Sequence, residues 1–165
     1  MDGDLSFDLH MLTARLDRAA DRILRAELGV PYRRFLALFM IGELDTTTQR
    51  ALAERLGVTE PSVSRMTTVL SEAGLLDARP DPAGGNRRRL RLTPSGEELV
   101  QRCRDLLGGR LTELLKRSEV PHEEYTRYTR RLLSTLDAGD ETATAPQQGH
   151  PTEAVPPAEQ RRRST

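Results

Sequence analysis

The sequence predicts a mainly α (α+β) protein, with about six helices and a small antiparallel sheet. Most of the chain repeats its apolar residues at helical spacing, three or four positions apart. Glycine or proline stands at many of the points where these repeats stop. One stretch, residues 75–92, instead alternates apolar and polar side chains around a turn-forming segment. These three observations favour a set of helices around one β-hairpin.

The first two predicted helices differ in their apolar patterns. Over about residues 5–28 the apolar residues form a seam that is typical of paired helices. Gly29 suits the end of this helix because glycine adopts a left-handed backbone, and Pro31 suits the start of the next helix. The second helix is apolar on nearly every side, so we expect it at the buried centre. The seam residues are Leu5, Leu9, Leu12, Leu16, Ala19 and Ile23, and the second helix carries Phe35, Leu36, Leu38, Phe39, Ile41 and Leu44.

Residues 48–74 predict two short helices joined by a tight turn. Gln49–Leu56 forms the first helix, and Gly57 ends it with a left-handed backbone. Thr59 is a suitable N-cap for the second helix, which Gly74 ends. We expect the inner face of the second helix to consist of Val63, Met66, Thr67, Leu70 and Ala73.

Three residues at fixed spacing indicate how these two helices cross. Ala53 is small enough for a close crossing, Gly57 permits the sharp turn, and Val63 fills the space between the helices. Together they indicate a helix-turn-helix, whose second helix can lie in the major groove of DNA. The alternative is an ordinary αα-hairpin within a helical bundle.

A β-hairpin is predicted directly after the second helix. Leu75–Arg79 forms one strand, residues 80–86 turn, and Arg87–Leu92 returns as the other strand. The connector Asp45–Thr47, with its β-branched residues, is a candidate third strand. A hairpin in this place is a wing, so the prediction becomes a winged helix-turn-helix. The predicted DNA-binding residues of the wing are Arg87, Arg88 and Arg89, although a solvated hairpin would also carry arginines.

Two further helices and a tail complete the chain. Thr93 and Pro94 open a long helix, and a last helix follows Pro121. From Ala138 onward the composition predicts a disordered tail over 138–165. We therefore expect a folded domain over 1–137, with a DNA-binding lobe at about 32–92. The helices at about 5–28 and 94–137 have apolar seams without a partner in so small a domain, which suggests a homodimer with interlocked terminal helices.

Composition excludes several classes of function. Formal net charge is zero, which disfavours a sequence-indifferent DNA-packaging protein, because such proteins neutralise phosphates broadly. No apolar run is long enough to span a membrane, so we expect a cytoplasmic protein without a membrane partner. Cys103 lies on an apolar seam, which favours a buried thiol over a redox sensor. His10, His122 and His150 lack metal-ligand spacing, and no catalytic set of residues is present, so we expect no metal, no cofactor and no enzymatic activity.

The order of these elements resembles the MarR family of bacterial winged-helix regulators. The likeness rests on Leu52–Leu76, on the wing and on Leu92–Leu99, and it covers about residues 5–137. The resemblance implies a homodimer that binds a palindromic operator, in most cases as a repressor, and releases DNA when a small phenolic or other effector binds. Family wings often carry an Asp-x-Arg turn, whereas this chain has Gly84, Gly85 and Asn86 there. The departure implies a looser wing.

The outer face of the second helix of the helix-turn-helix is predicted to read the DNA. Arg65 is the candidate for bidentate contact with guanine O6 and N7, worth about 1–3 kcal/mol of discrimination. Short hydroxyl side chains on this face suit phosphates or base edges. Glu60 either accepts from cytosine or acts as a favourable charge at the helix start. The predicted reading residues are Thr59, Glu60, Ser62, Ser64, Arg65 and Thr68.

An effector pocket is implied by the resemblance and by polar residues beside apolar ones. We expect it between the first two helices and the start of the long helix after the wing, near His10, Thr13, Tyr32 and Arg33. A small aromatic molecule is the expected effector. The competing reading of the whole chain is a winged-helix protein-interaction module without specific DNA binding. It is disfavoured because the exposed faces offer no aromatic or aliphatic anchor.

Overall fold

The computed structural model describes residues 4–44, 47–80 and 88–144 and confirms a mainly α (α+β) fold. It divides into two compact units, which end and begin at Glu119 and Val120. The described elements are α1 (Leu5–Leu28), α2 (Tyr32–Glu43), β1 (Thr47–Thr48), α3 (Gln49–Leu56), α4 (Glu60–Glu72), β2 (Leu76–Pro80), β3 (Arg88–Leu92), α5 (Pro94–Arg117) and α6 (His122–Thr144). No helix in these ranges is long and apolar enough to cross a membrane.

The junction of α1 and α2 is closed by a glycine and a carboxylate. Gly29 caps α1 with φ 68°, as its sequence position predicts. Asp21 then accepts from the Tyr32 backbone N–H at 2.9 Å and from the Arg25 guanidinium at 2.7 Å. The Arg25 hydrogen bond, followed by the Tyr32 N–H, holds the pKa of the Asp21 carboxyl below its usual range. The carboxylate thereby connects the end of α1 to the first residue of α2.

The core lies around α2, as the apolar pattern predicts. Leu38 and Ile41 of α2 are fully buried, and Leu24 of α1 is buried with them. Side chains from α3, α4, the sheet and α5 complete one continuous cluster. Its buried members are Leu24, Phe35, Ala37, Leu38, Ile41, Leu52, Ala53, Val63, Leu70, Leu76, Leu90, Val100 and Cys103.

The three described strands form one antiparallel sheet in the order β1-β3-β2. β3 is central and pairs Leu90 with both Thr47 of β1 and Ala78 of β2. Leu90 is fully buried, whereas its neighbours Arg89 and Arg91 are exposed, so the predicted alternation is confirmed. The turn between β2 and β3 lies outside the described residues.

The end of α4 explains why β2 begins one residue later than predicted. Gly74 has φ 71°, and its N–H bonds the Ser71 carbonyl at 2.9 Å. The Leu75 N–H bonds the Leu70 carbonyl at 3.0 Å, which completes a Schellman motif. Because the Leu75 N–H is bonded to the end of α4, the pairing of β2 with β3 begins at Leu76. Ala73 is the C-cap and is exposed, so its predicted place on the inner face is wrong.

The start of α5 lies directly against the start of β2. Thr93 caps the helix by accepting from the Gly96 N–H at 3.1 Å. A Cβ added at Gly96 would overlap the Leu75 carbonyl oxygen, so only glycine fits at this approach. This packing joins the start of the long helix α5 to the end of α4 and the start of β2.

The second unit contains α6, which begins after Pro121 as predicted. Its exposed apolar side chains include Tyr128, Leu132, Leu133 and Leu136. The helix continues to Thr144, beyond the predicted domain end at residue 137. The predicted tail from residue 145 onward lies outside the described residues.

Replacing Gly96 by alanine should destabilise the protein by about 1–3 kcal/mol or more, because the new methyl group meets a backbone carbonyl that cannot move independently. Gly108 is the matched control, since it lies within α5 and a Cβ there meets open space. Gly108→Ala should stabilise by about 0.5–1 kcal/mol through better helix propensity. Urea unfolding of both variants would measure this, and equal stabilities would contradict the close approach.

Candidate nucleic-acid interface

The crossing of α3 and α4 has the geometry that the sequence predicts. Ala53 is 4% exposed and Val63 is fully buried at the crossing. Gly57 adopts φ 63°, and the next N–H, that of Val58, bonds the Ala53 carbonyl at 3.1 Å. The small residue, the left-handed turn and the apolar plug therefore act together, and the pair of helices is a helix-turn-helix.

A partly buried polar contact further fixes α4 against α3. Thr67 is 1% exposed on the inner face of α4. Its hydroxyl accepts from the Gln49 side-chain amide at 3.0 Å and donates to the Ser64 carbonyl at 3.1 Å. A satisfied buried hydrogen bond is directional, so it limits rotation of α4 about its own axis. The sequence reading placed Thr67 correctly but missed Gln49, whose only signal is a long amide at the first position of α3.

The six predicted reading residues lie together on the outer side of α4. Five are exposed and Ser62 is half-buried. The Thr59 and Ser62 hydroxyl groups are 3.0 Å apart, and an Arg65 guanidinium nitrogen lies 3.4 Å from the Ser62 oxygen. The Thr68 hydroxyl donates to the Ser64 carbonyl at 2.9 Å. The face consists of Thr59, Glu60, Ser62, Ser64, Arg65 and Thr68.

Thr59 occupies the predicted N-cap position, but its side chain does not cap the helix. An N-cap side chain normally accepts from the N–H of the second or third helical residue. Here the second residue is Pro61, which has no N–H, and the N–H of the third, Ser62, bonds the Thr59 carbonyl at 3.0 Å. Because neither N–H is available to it, the Thr59 hydroxyl lies within hydrogen-bond distance of the Ser62 hydroxyl instead. Both hydroxyl groups are thus held at the exposed N-terminal turn of α4.

The wing contributes positive charge beside α4. Arg88 and Arg89 lie at the exposed start of β3, in register with Pro80 and Arg79 of β2. Arg79 also forms an exposed ion pair with Asp77 at 3.2 Å. The predicted wing residue Arg87 and the Gly84–Asn86 departure lie outside the described residues. Arg89, like Arg79 opposite it, lies on the sheet side opposite to Leu90, whereas Arg88 lies on the same side as Leu90, at the exposed start of the strand.

A cavity of about 750 Å³ lies between α1, the first turns of α2 and the C-terminal half of α5. Of the four predicted pocket residues, only Tyr32 lines it, and His10, Thr13 and Arg33 do not. The cavity thus lies between the three helices named from the sequence, but beside the C-terminal half of α5 and the middle of α1 rather than the start of α5. The lining residues are Leu16, Asp17, Ala19, Ala20, Arg22, Ile23, Tyr32, Phe35, Leu107, Arg110, Leu111, Glu113, Leu114, Lys116 and Arg117.

The cavity combines apolar walls with ionisable groups. Burial raises the pKa of the Tyr32 phenol, and the negative charge of Asp17 raises it further. Four of the lining side chains are cationic and two are anionic, so the lining has a formal charge of about +2. A pocket of this kind suits a compact apolar molecule that carries a negative charge.

Cys103 lies in the core, away from the outer face of α4, and does not line the cavity. The Cys103 side chain is fully buried in the core, and this burial raises the pKa of its thiol, against a smaller opposing effect of Arg102. A neutral buried thiol is a packing group, as the sequence favours. Within residues 4–44, 47–80 and 88–144, no group of three or more His, Cys, Asp or Glu side chains could hold a metal ion.

Comparison with known proteins gives one consistent result. A sequence model described as the MarR family matches residues 28–85. An uncharacterised HTH-type transcriptional regulator of Mycobacterium leprae is 31% identical over 103 residues, which cover 62% of this chain and 71% of the relative. Wild-type MarR of E. coli, in its apo form, superposes with a TM-score of 0.71 at 24% identity and covers 82% of this chain and 98% of its own.

A second solved structure is of a mutant MarR of E. coli complexed with operator DNA. It superposes with a TM-score of 0.65 at 23% identity, over 80% of this chain and 93% of its own. At this level of identity the likeness demonstrates the shared winged helix fold.

Proposed function

The chain belongs to the MarR family of transcriptional regulators, and on that premise we propose that it is a sequence-specific repressor. It would act as a homodimer on a palindromic DNA operator and release the DNA when a small aromatic effector binds. A regulator of this kind meets its operators on the chromosome, so the proposal includes a cytoplasmic location.

The exposed polar face of α4 carries this proposal. Val63, Thr67 and Leu70 anchor the inner side of the helix, so the outer side is held rigidly without taking part in the core. That outer side offers short hydroxyl groups around Arg65, and the large apolar side chain beside them, Val69, is only 39% exposed. Such a face suits base edges and phosphates rather than a protein partner, which would require an apolar anchor. The complex of a structural relative with operator DNA supports the same assignment.

Arg65 is proposed to discriminate bases, and the wing to bind the backbone or minor groove. The guanidinium of Arg65 extends from the middle of the exposed face, where a helix in the major groove meets base edges. Arg88 and Arg89, together with Arg87, would meet the narrow, negative minor groove. Glu60 at the first turn of α4 would accept from a cytosine amine.

Exposed apolar side chains on the terminal helices support the homodimer. At the start of α1, Leu5 is 70% exposed and Phe7 is 61% exposed. Within α6, Leu132 is 59% exposed and Leu136 is 66% exposed. Apolar groups on this scale are characteristic of an interface between copies. The division into a DNA-binding lobe at about 32–92 and dimerisation helices at about 5–28 and 94–137 is part of the same proposal.

The cavity beside Tyr32 is the proposed effector site. Its volume of about 750 Å³ accommodates an aromatic ring with substituents, and its cationic lining suits an acid. Arg110, Lys116 and Arg117 come from one end of α5 and Arg22 from α1, so an anion there would draw the two helices together.

Arg65→Ala should lower affinity for the selected operator by about 5- to 150-fold, because a bidentate guanine contact is lost. Arg65→Lys keeps the charge but lacks the planar fork, so it should retain binding to random DNA and lose sequence preference. Arg102→Ala, on the exposed surface of α5, is the matched control. Operators would be selected from random and genomic DNA and measured by gel shift at one stated salt concentration. Unchanged sequence preference in Arg65→Ala would refute the assignment.

The wild-type protein should sediment as a dimer at micromolar concentration. Leu132→Glu combined with Leu136→Glu places two charges on one exposed apolar face of α6 and should shift it to monomer. Ser134→Glu is the control, because it lies about 200° around the helix from Leu132. A monomeric wild-type protein would exclude the homodimer.

A panel of substituted benzoates should raise the melting temperature of the wild-type protein, because a ligand of the folded state stabilises it. Ala20→Leu fills the cavity and should abolish this shift, while Arg33→Ala, outside the cavity, should retain it. Absence of a shift with every benzoate would remove the support for an aromatic acid effector. Loss of the shift in Arg33→Ala alone would favour the site predicted from sequence.

A further inference from the structure

We propose that Thr93 is a positioning residue, whose hydroxyl sets the angle of the recognition helix α4 on α5 and thereby the spacing of operator half-sites that the protein accepts. The inference rests on the proposed function and deepens it. Thr93 lies after the wing and, in the described structure, precedes α5. It is not part of the outer face of α4 that would read the bases.

The Thr93 hydroxyl joins two helices through its two hydrogen-bonding roles. It donates to the Gly74 carbonyl, which follows the last turn of α4, at 2.7 Å. It accepts from the Gly96 N–H, in the first turn of α5, at 3.1 Å. The backbone N–H of Thr93 adds a third bond, to the Leu75 carbonyl at 3.2 Å. An ordinary N-cap needs only the acceptor role, so the bond to Gly74 is additional to capping.

The parts that the hydroxyl joins have little freedom of their own. Gly74 is fixed in a left-handed conformation by the Schellman motif at the end of α4. Gly96 lies so close to the Leu75 carbonyl that a single methyl group would not fit. A change in the angle between α4 and α5 would therefore lengthen the 2.7 Å bond from Thr93 to Gly74.

A small rotation at this joint has a large effect at the other end of α4. The helix has 13 residues and is about 20 Å long. A rotation of about 10° at Gly74 would displace Thr59, at the far end, by about 3.5 Å, which is the rise of one base pair. α5 belongs to the proposed dimerisation helices, so the distance between two copies of α4 depends on the same angle. The half-sites read by a dimer are about 34 Å apart. If the N-terminal end of α4 in each copy moved by the rise of one base pair, the spacing of half-sites that the dimer accepts would change.

Three substitutions separate positioning from helix capping. Thr93→Ser keeps both hydrogen-bonding roles. Thr93→Asp keeps the acceptor for the Gly96 N–H but, when ionised, cannot donate to Gly74. Thr93→Val loses both roles. Ser95→Asp, exposed in the first turn of α5, is the control for the added negative charge.

The measurement compares the selected operator with versions that have one base pair added or removed between the half-sites. Wild type, Thr93→Ser and Ser95→Asp should prefer the selected spacing. Thr93→Asp keeps the helix cap but loses the bond to Gly74, so it should melt below Ser95→Asp and above Thr93→Val, and it should lose preference for the selected spacing by about three- to tenfold, the effect of one hydrogen bond. Thr93→Val should lose the preference and also melt at a lower temperature. Affinity for random DNA should be the same in Thr93→Asp and Ser95→Asp.

Two outcomes are distinguishable failures. If the wild-type protein binds no operator above random DNA, the proposed function fails and the role of Thr93 fails with it. If the wild-type protein prefers one spacing and Thr93→Asp retains that preference, only the positioning role is overturned, and Thr93 is reduced to an N-cap. The Asp variant decides the question even if Thr93→Val does not fold.

Discussion

The close crossing of α3 and α4 is the constraint on which the rest of the structure depends. Ala53 allows the backbones to approach, Val63 fills the space that remains, and Gly57 makes the turn short enough for both. Because the contact between Gln49 and the buried Thr67 hydroxyl is directional, it also fixes which side of α4 faces outward. A larger side chain at the crossing would separate the helices and turn the polar face away from its present direction.

Charge is distributed locally rather than over the whole molecule. The chain is formally neutral, yet the wing strand presents Arg88 and Arg89 next to the helix-turn-helix, and Arg65 stands on the exposed face of α4. On the proposed function, such a protein would gain affinity for DNA from a few placed phosphate and base contacts. It should therefore depend on sequence more strongly than a broadly basic protein.

α5 brings the separate parts of the first unit together. Its first turn is bound to the end of α4 through Thr93, and its last turns line the cavity beside Tyr32. Between these ends, Arg104 lies 5.3 Å over the Phe39 ring and forms an ion pair with Glu43 at 3.3 Å, so α5 is also held against α2. The same helix, α5 (Pro94–Arg117), therefore contacts the end of α4 at its first turn and lines the cavity at its last turns.

The sequence by itself determined the fold class, the bounds of α3 and the exposed face of α4, because these depend on local rules. Apolar spacing sets which side of a helix is buried, and Gly29, Gly57 and Gly74 end helices through their own backbone freedom. Tertiary structure alone decided the contacts between distant segments. Three features arise only where separate elements meet: the hydrogen bond between Gln49 and Thr67, the two hydrogen bonds of the Thr93 hydroxyl, and the cavity between α1, α2 and α5. No rule of residue spacing within one element predicts the distances between such segments. The exposed side of α4 was predictable because exposure on one helix is local, while the place of the cavity was not, because three helices form it.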